Sequence, residues 1–449
     1  MAGMSNDALR QLDQVEWGCA DATVLADGGR PADSARSRRW AGDLKALLGA
    51  TPVTHRVVAG WRQLQPGGPD AWDTAALARC DRSIDAILDS GRLPVITLSH
   101  NDLPEWLDDR GGWLRRESAQ RFADYAGWLG SRLGDRVTRW VTSTDFAAPS
   151  VADHVAGMTP PGRGIGAPGL VSVHHVLLGH GLAVQSLRGA GVDSEISGTV
   201  VLIGGYPATA DEADLKALHR LESWTNRLFL DPLLLGRHMT VDGVCPVART
   251  GGVRDGDMEI ISAPQDTLSL SWHAPVRVTT PAGLPRLLPA ASCLRALSDL
   301  NRLLARLDFA LVPFEEVQTG PHGWPLLPEA LADALAGLAA LYGDRLPPLR
   351  VVDNGMGEPA GRSAQRRRVL LTNQLTWLWR TTERGIPVRG YEHWPITDNL
   401  DWIRRYSQLY SITVPDHGRL TTPAIPCDWA RSGPFRTDVP RRTGQLRLV

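Results

Sequence analysis

Cysteine is scarce in this 449-residue chain, and Cys19, Cys80, Cys245, Cys293 and Cys427 are scattered and odd in number. Without short paired spacings, neither a disulfide framework nor a zinc knuckle is expected. An excess of charge of one sign is also lacking, the formal net charge being -1. That balance offers no basic face for nucleic acid and no juxtamembrane basic cluster, so neither is expected as a partner. No uninterrupted apolar run reads as long enough to span a bilayer, and residues 1–14 are polar without an apolar leader core, which points to the cytoplasm. Phe and Tyr are few, 6 each against 16 Trp. Indole faces commonly line sites for sugars and other flat, partly apolar ligands, although a single Trp more often fills a core.

What is present is an alternation of strand and helix signals, repeated about eight times, which favours one parallel α/β unit. The fold expected is a single (β/α)8 TIM barrel over 1–449, with a short polar segment at 1–14 and a Pro/Arg-rich tail at 421–449. Strands are expected at 15–20, 53–59, 94–98, 137–145, 199–203, 268–272, 349–353 and 388–394. Between them helices are expected at 39–48, 74–90, 117–133, 170–190, 211–228, 328–342 and 366–385. The order between 280 and 325 is not legible. A Gly/Pro-rich connection from Pro149 to Gly169 reads as a mobile loop over the barrel mouth.

Two apolar runs end in carboxylates. Leu349-Arg350-Val351-Val352-Asp353 is followed by Asn354-Gly355, and Val137 to Thr144 is followed by Asp145. A strand that delivers an acid at its C-terminal tip places it at the mouth of a parallel barrel, and paired carboxylates there suit glycoside hydrolysis. The plainer reading is that each Asp caps its own loop.

The order of several motifs resembles family-one glycoside hydrolases, the β-glucosidase family. His100, Asp102-Leu103-Pro104 and Asp109-Arg110-Gly111-Gly112-Trp113-Leu114 resemble its "HWDLP…DRGGWL" stretch. Trp17-Gly18, Arg56 with Trp61, His174-His175 with Gly181-Leu182-Ala183, and Phe229 to Leu235 agree in order, as do Gly390-Tyr391, Trp394, Asp398-Asn399 and Trp402. The resemblance implies a (β/α)8 barrel with its site at the C-terminal strand ends. It also implies that Asp145 stands at the acid/base Glu position and Asp353 at the nucleophile Glu position. Arg56, His100, Trp394 and Trp402 match the family's site. The sugar-binding Gln falls on Leu25, the Trp after the strand-three His on Asn101, the Tyr touching the nucleophile near His273, and the Glu on the outer hydroxyls on Asp401.

Each Glu-to-Asp change withdraws a carboxylate by one bond, so a pair held ~5 Å apart for retention can open towards the ~6.5–9.5 Å of inversion. Leu25 gives a sugar hydroxyl no partner, and a first loop that reads as short after Gly28 widens the entrance; a larger or less hydroxylated ligand is expected. Catalytic roles fall on Asp145 and Asp353, and substrate contacts on Arg56, His100, Asn101, His273, Trp394, Asp401 and Trp402. Arg56 can equally be a structural ion pair, the histidines satisfied core groups, and Trp394 and Trp402 packing at the strand-eight corner. No cofactor and no metal site are expected, the partner is a small glycoside or ring-containing metabolite, and oligomeric state is open. The first function is a divergent β-glycosidase-like enzyme. The alternatives are the same scaffold used for a cyclisation, dehydration, isomerisation or rearrangement in secondary metabolism, or a binding protein without turnover.

Overall fold

A computed structural model describes residues 15–27, 53–159, 161–287, 295–315, 317, 325–327, 329–354 and 375–393. In chain order its strands are β1 (Glu16–Val24), β2 (Thr54–Val58), β3 (Leu93–Ser99), β4 (Arg139–Ser143), β5 (Glu195–Val201), β6 (Gly205–Pro207), β7 (Thr267–Ser271), β8 (Val276–Thr279), β9 (Ala310–Val312), β10 (Leu349–Asn354) and β11 (Val388–His393). Eight of them close into a barrel in the order β1-β11-β10-β7-β5-β4-β3-β2. Every neighbouring pair in it is parallel. The fold is a (β/α)8 TIM barrel. All eight C-terminal strand ends therefore open on one mouth, as expected.

Helices lie where the apolar period is 3.6. In α1 (Thr74–Asp89), Asp73 caps the first turn by accepting from Ala75 N at 2.8 Å and Ala76 N at 2.9 Å. Its Ala76, Cys80, Ile84 and Ile87 face is buried, and each Ile contributes about 1.5–3 kcal/mol by leaving water. The helix α2 (Glu117–Leu133) packs on α3 (Val171–Gly189) through small residues. A Cβ at Gly130 would stand 2.9 Å from Leu187, so this approach needs glycine. With its leading turn, α3 is long and apolar enough to cross a bilayer by length and mean composition alone. The helix is nevertheless 78% buried over that stretch, as a core helix of the barrel's outer layer is.

Other departures have local causes. The strand expected at 199–203 begins earlier, at Glu195, because the polar Glu195 and Ser197 point into the barrel rather than out to water. The helix expected at 211–228 is α4 (Glu212–Glu222), and it runs on through a widened turn at Ser223–Arg227 into α5 (Leu228–Leu235). The unread region supplies β9 to a small second sheet, ordered β6-β8-β9, whose other strands precede it and in which β8 and β9 are antiparallel. Its strands have three or four residues, too few for a period-2 pattern to register. A helix occupies Glu329–Tyr342, and 375–383 is the described part of the helix expected at 366–385. The helix expected at 39–48, the loop after Gly28 and the tail from 421 lie outside the described residues.

The Pro149–Gly169 connection, expected as a mobile loop, carries local structure of its own. It starts with a helical segment, Ala148–Val155, most of which is buried. Asp153 Oδ1 then accepts from Gly162 N at 2.9 Å and Arg163 N at 3.0 Å, while Arg163 donates to Asp108 Oδ1 at 2.6 Å. A buried carboxylate and a bridging Arg fold the Gly-rich stretch back onto the barrel, contacts that composition does not reveal.

Candidate active site

Asp353 lies in the last turn of β10 with φ 52°, a left-handed conformation in a strand. Such backbone costs on the order of 1 kcal/mol for most residues, and Asp is among those that bear it best. The next residue holds it in place. Asn354 donates to the Trp272 carbonyl at 3.1 Å and accepts from the Tyr391 hydroxyl at 2.6 Å, so β7 and β11 clamp the strand tip from both sides.

The Asp353 side chain is buried and forms an ion pair with Arg56 of β2, across the barrel interior. Arg56 also donates through Nε to Glu392 of β11 at 2.8 Å. His100 follows β3; its backbone N donates to Asp102 Oδ1 at 2.8 Å, and its Nδ1 bonds Thr144 Oγ1 at 2.8 Å. Asp102 Oδ2 accepts Trp61 N at 2.7 Å, which ties the strand-three loop to the turn after β2. Asn101 sits between them with φ 58°, a conformation that Asn tolerates. His273 follows β7, with Nε2 3.3 Å from Ser271 Oγ.

Electrostatics join these groups. Burial pushes the His100 imidazole below its usual range, against the pull of Asp102 and Asp353 and with the push of Arg56. Burial likewise pushes His273 down to about 4, against the pull of Asp353. Both rings are neutral at neutral pH and each feels the Asp353 charge.

Asp145, two residues beyond β4, is also buried. Its Oδ1 accepts Ala147 N at 2.6 Å and its Oδ2 accepts Ala148 N at 3.2 Å, at the start of the helical segment that follows. The capping role weighed for it in the sequence is thus present. Phe146 anchors this corner beneath the mouth: it packs edge-on to His180 at 5.4 Å, and a Cβ at Gly198 would stand 2.6 Å from its ring. Thr144 links the corner to His100. The structure therefore groups Arg56, Asp353, His100 and His273, and connects Asp145 to them through Thr144. Leu25, fully buried, turns its backbone at the end of β1. Trp394, Asp401 and Trp402 lie outside the described residues.

Sequence reasoning missed the charged residues beneath the mouth. Arg139 of β4 pairs with Glu392 and lies 3.9 Å from Glu195 of β5. Arg350 of β10 holds Glu195 at 2.6 and 2.8 Å and reaches Glu16 of β1 at 2.8 Å. Burial pushes Arg139 down to about 9, aided by the Arg350 charge and opposed by Glu195 and Glu16. Two strand glycines make room for these side chains: a Cβ at Gly18 would meet Glu392 Cγ at 3.0 Å, and one at Gly390 would collide with the Arg350 guanidinium. The signal was available in part, since Arg139, Arg350 and Glu392 each lie within a stretch that reads as a barrel strand. A charge in a strand covered on both faces must be paired inside.

The Glycosyl hydrolase family 1 profile matches residues 28–428 of this chain. The chain belongs to glycosyl hydrolase family 1. Among family relatives, a bifunctional β-D-glucosidase/β-D-fucosidase of Bifidobacterium breve is 32% identical over 420 residues, covering 88% of this chain and 86% of that protein. A thermostable β-glucosidase B of Thermobispora bispora is 30% identical over 421 residues, covering 90% and 80%. Among solved structures, a psychrophilic β-glucosidase of Micrococcus antarcticus superposes with a TM-score of 0.72 at 27% identity, covering 88% of this chain and 91% of that one.

Proposed function

We propose that this chain is a divergent β-glycosidase that acts on a small glycoside, with Asp353 as its working carboxylate. The observation that carries the reading is the buried Asp353–Arg56 ion pair at the barrel mouth, flanked by two neutral imidazoles. The guanidinium orients the carboxylate, which either activates a water or attacks the anomeric carbon. The shorter Asp side chain favours the water. His100 and Asn101 supply polar contacts to the sugar, with Trp394, Asp401 and Trp402 assigned to the same subsite from the family resemblance. His273 stays neutral beside Asp353 and offers a hydrogen bond without competing for its charge.

Asp145 is the proton donor in this reading. Both its oxygens accept backbone N–H groups, so donation requires the side chain to swing away from the 147–148 turn. That requirement favours a second reading, in which Asp145 is a helix cap and the scaffold runs another proton transfer or only binds its ligand.

The test is release of aryl alcohol from activated aryl β-glucosides and β-fucosides by the wild type, Asp353→Asn and Asp145→Asn. Hydrolysis that falls roughly 10²–10⁴-fold in Asp353→Asn supports the reading. If Asp145→Asn then retains full rate, Asp145 is a cap and not the acid. Absence of release by the folded wild type, or release indifferent to Asp353→Asn, overturns the glycosidase assignment.

A further inference from the structure

We infer that Glu392 is a positioning residue for the site: it holds the Arg56 guanidinium in the plane that directs it at Asp353, and Arg139 braces it from across the barrel. The inference rests on Asp353 being the working carboxylate. It starts from the way Arg56 divides its donors. Nη2 goes to Asp353 and Nε to Glu392 at 2.8 Å. A guanidinium is a rigid planar fork, so fixing Nε fixes the direction of Nη2. An Arg paired with Asp353 alone would keep its long stem free to rotate.

Glu392 can serve as that anchor because it is itself immobilised. Its second oxygen meets Arg139, which stands level with Arg56 on the wall, both being registered on Val95 of β3. On the neighbouring β5, the register partner of Arg139, Glu195, lies 3.9 Å away, and Arg350 ties Glu195 to Glu16. Ion pairs thus connect Glu16 to Asp353, with Arg139 held to Glu392 and Glu195 by charge alone, since none of its side-chain nitrogens makes a hydrogen bond. Only 2% of Glu392 is exposed, so substrate cannot reach it and its influence must pass through Arg56. Gly18 completes the arrangement, since a side chain there would press on the Glu392 stem. Four carboxylates face three guanidinium groups in this chain of pairs, and Arg56 is the one shared between the mouth and the layer beneath.

The test compares Glu392→Gln, Glu392→Met and the double variant Glu392→Met/Arg139→Met. Gln keeps an oxygen for Arg56 Nε; Met removes it; the double variant removes the unpaired Arg139 that alone can spoil folding. With a turned-over aryl β-glycoside, the double variant should fold, regain the stability lost by Glu392→Met, and still show kcat lowered about 10–100-fold with KM changed less than about threefold. Glu392→Gln should recover most of that kcat. A folded double variant with kcat within about twofold of wild type overturns the inference.

If the wild type turns over no glycoside, the glycosidase reading fails separately, and Arg56 is then read directly. Its Nε–H signal in 15N NMR, assigned with Arg56→Lys, should exchange slowly in the wild type and at least about tenfold faster in the double variant. Unchanged exchange overturns the inference.

Discussion

Replacing Glu195 by Gln keeps the size of the side chain and removes one charge from the middle of the barrel. Glu195 accepts Arg350 Nε at 2.6 Å, Arg350 Nη2 at 2.8 Å and the Thr267 hydroxyl at 2.6 Å. In the variant an amide N–H turns towards one of these donors and the attraction to Arg350 falls to that of a dipole. Removing one partner of a buried pair costs about 3–5 kcal/mol. Here Arg350 keeps Glu16 at 2.8 Å, and the Glu195 side chain retains 17% exposure, so a loss smaller than that range, about 2–3 kcal/mol, is expected. With an unfolding entropy of about 2.1 cal/mol/K per residue, a chain of this length turns that loss into a Tm shift of only ~2–3 °C. Urea unfolding at fixed temperature, followed by Trp fluorescence, is therefore the better assay. The pH dependence adds a second check. Burial pushes the Glu195 carboxyl up, but the Arg350 hydrogen bonds and charge, with help from Arg139 and Thr267, outweigh it and leave it below its usual 4.5. A depressed carboxyl stabilises the fold fully above its unfolded value and loses that contribution as pH falls through its folded value. The gap between wild type and variant should hold at pH 7 and close as pH falls below 4.5. A gap under about 0.5 kcal/mol at pH 7, or one that persists unchanged into acid, refutes the pairing argument.

Two further stability changes follow from the same geometry. Gly390→Ala puts a methyl group into the Arg350 guanidinium and should cost about 1–3 kcal/mol in urea unfolding in the wild-type background but little when added to Arg350→Ala; an equal loss in both backgrounds would sink the steric explanation. Asp73→Ala removes the two bonds that start α1 and should cost about 1 kcal/mol, whereas the exposed Asp70→Ala should leave the urea midpoint unmoved.

The cysteines show how environment, not count, settles reactivity. Cys80 lies on the buried face of α1, where burial pushes its thiol up to about 12, and the Asp81 charge adds to that. A thiol so protonated and enclosed is an apolar filler.

Much of the barrel was legible because its signals are local. The limits of α2 agree with its sequence range residue for residue, since its apolar stripe and flanking breaks lie within one stretch. Strands 53–59, 268–272 and 388–394 were found to within a residue or two, since apolar runs bounded by turn residues read the same in any context. The short strands of the second sheet escaped because partners far along the chain define them.

For the site, the division follows the same line. Alone, the sequence determined that Asp145 and Asp353 sit just at the C-terminal tips of parallel strands and therefore at one mouth, because strand polarity and the turn after each strand are local properties. It also carried the motif order that marks the family. Only the tertiary structure decided which charges meet. Glu16, Arg56, Arg139, Glu195, Arg350, Asp353 and Glu392 come from six strands spread over almost the whole chain, and no spacing relates them. Barrel closure brings them inside together, and once enclosed each must find an opposite charge, because an unpaired ion there would cost several kcal/mol, of order ~5. The same closure sends Asp353 to Arg56 and leaves Asp145 turned onto its own backbone, a difference that the two similar strand ends did not announce.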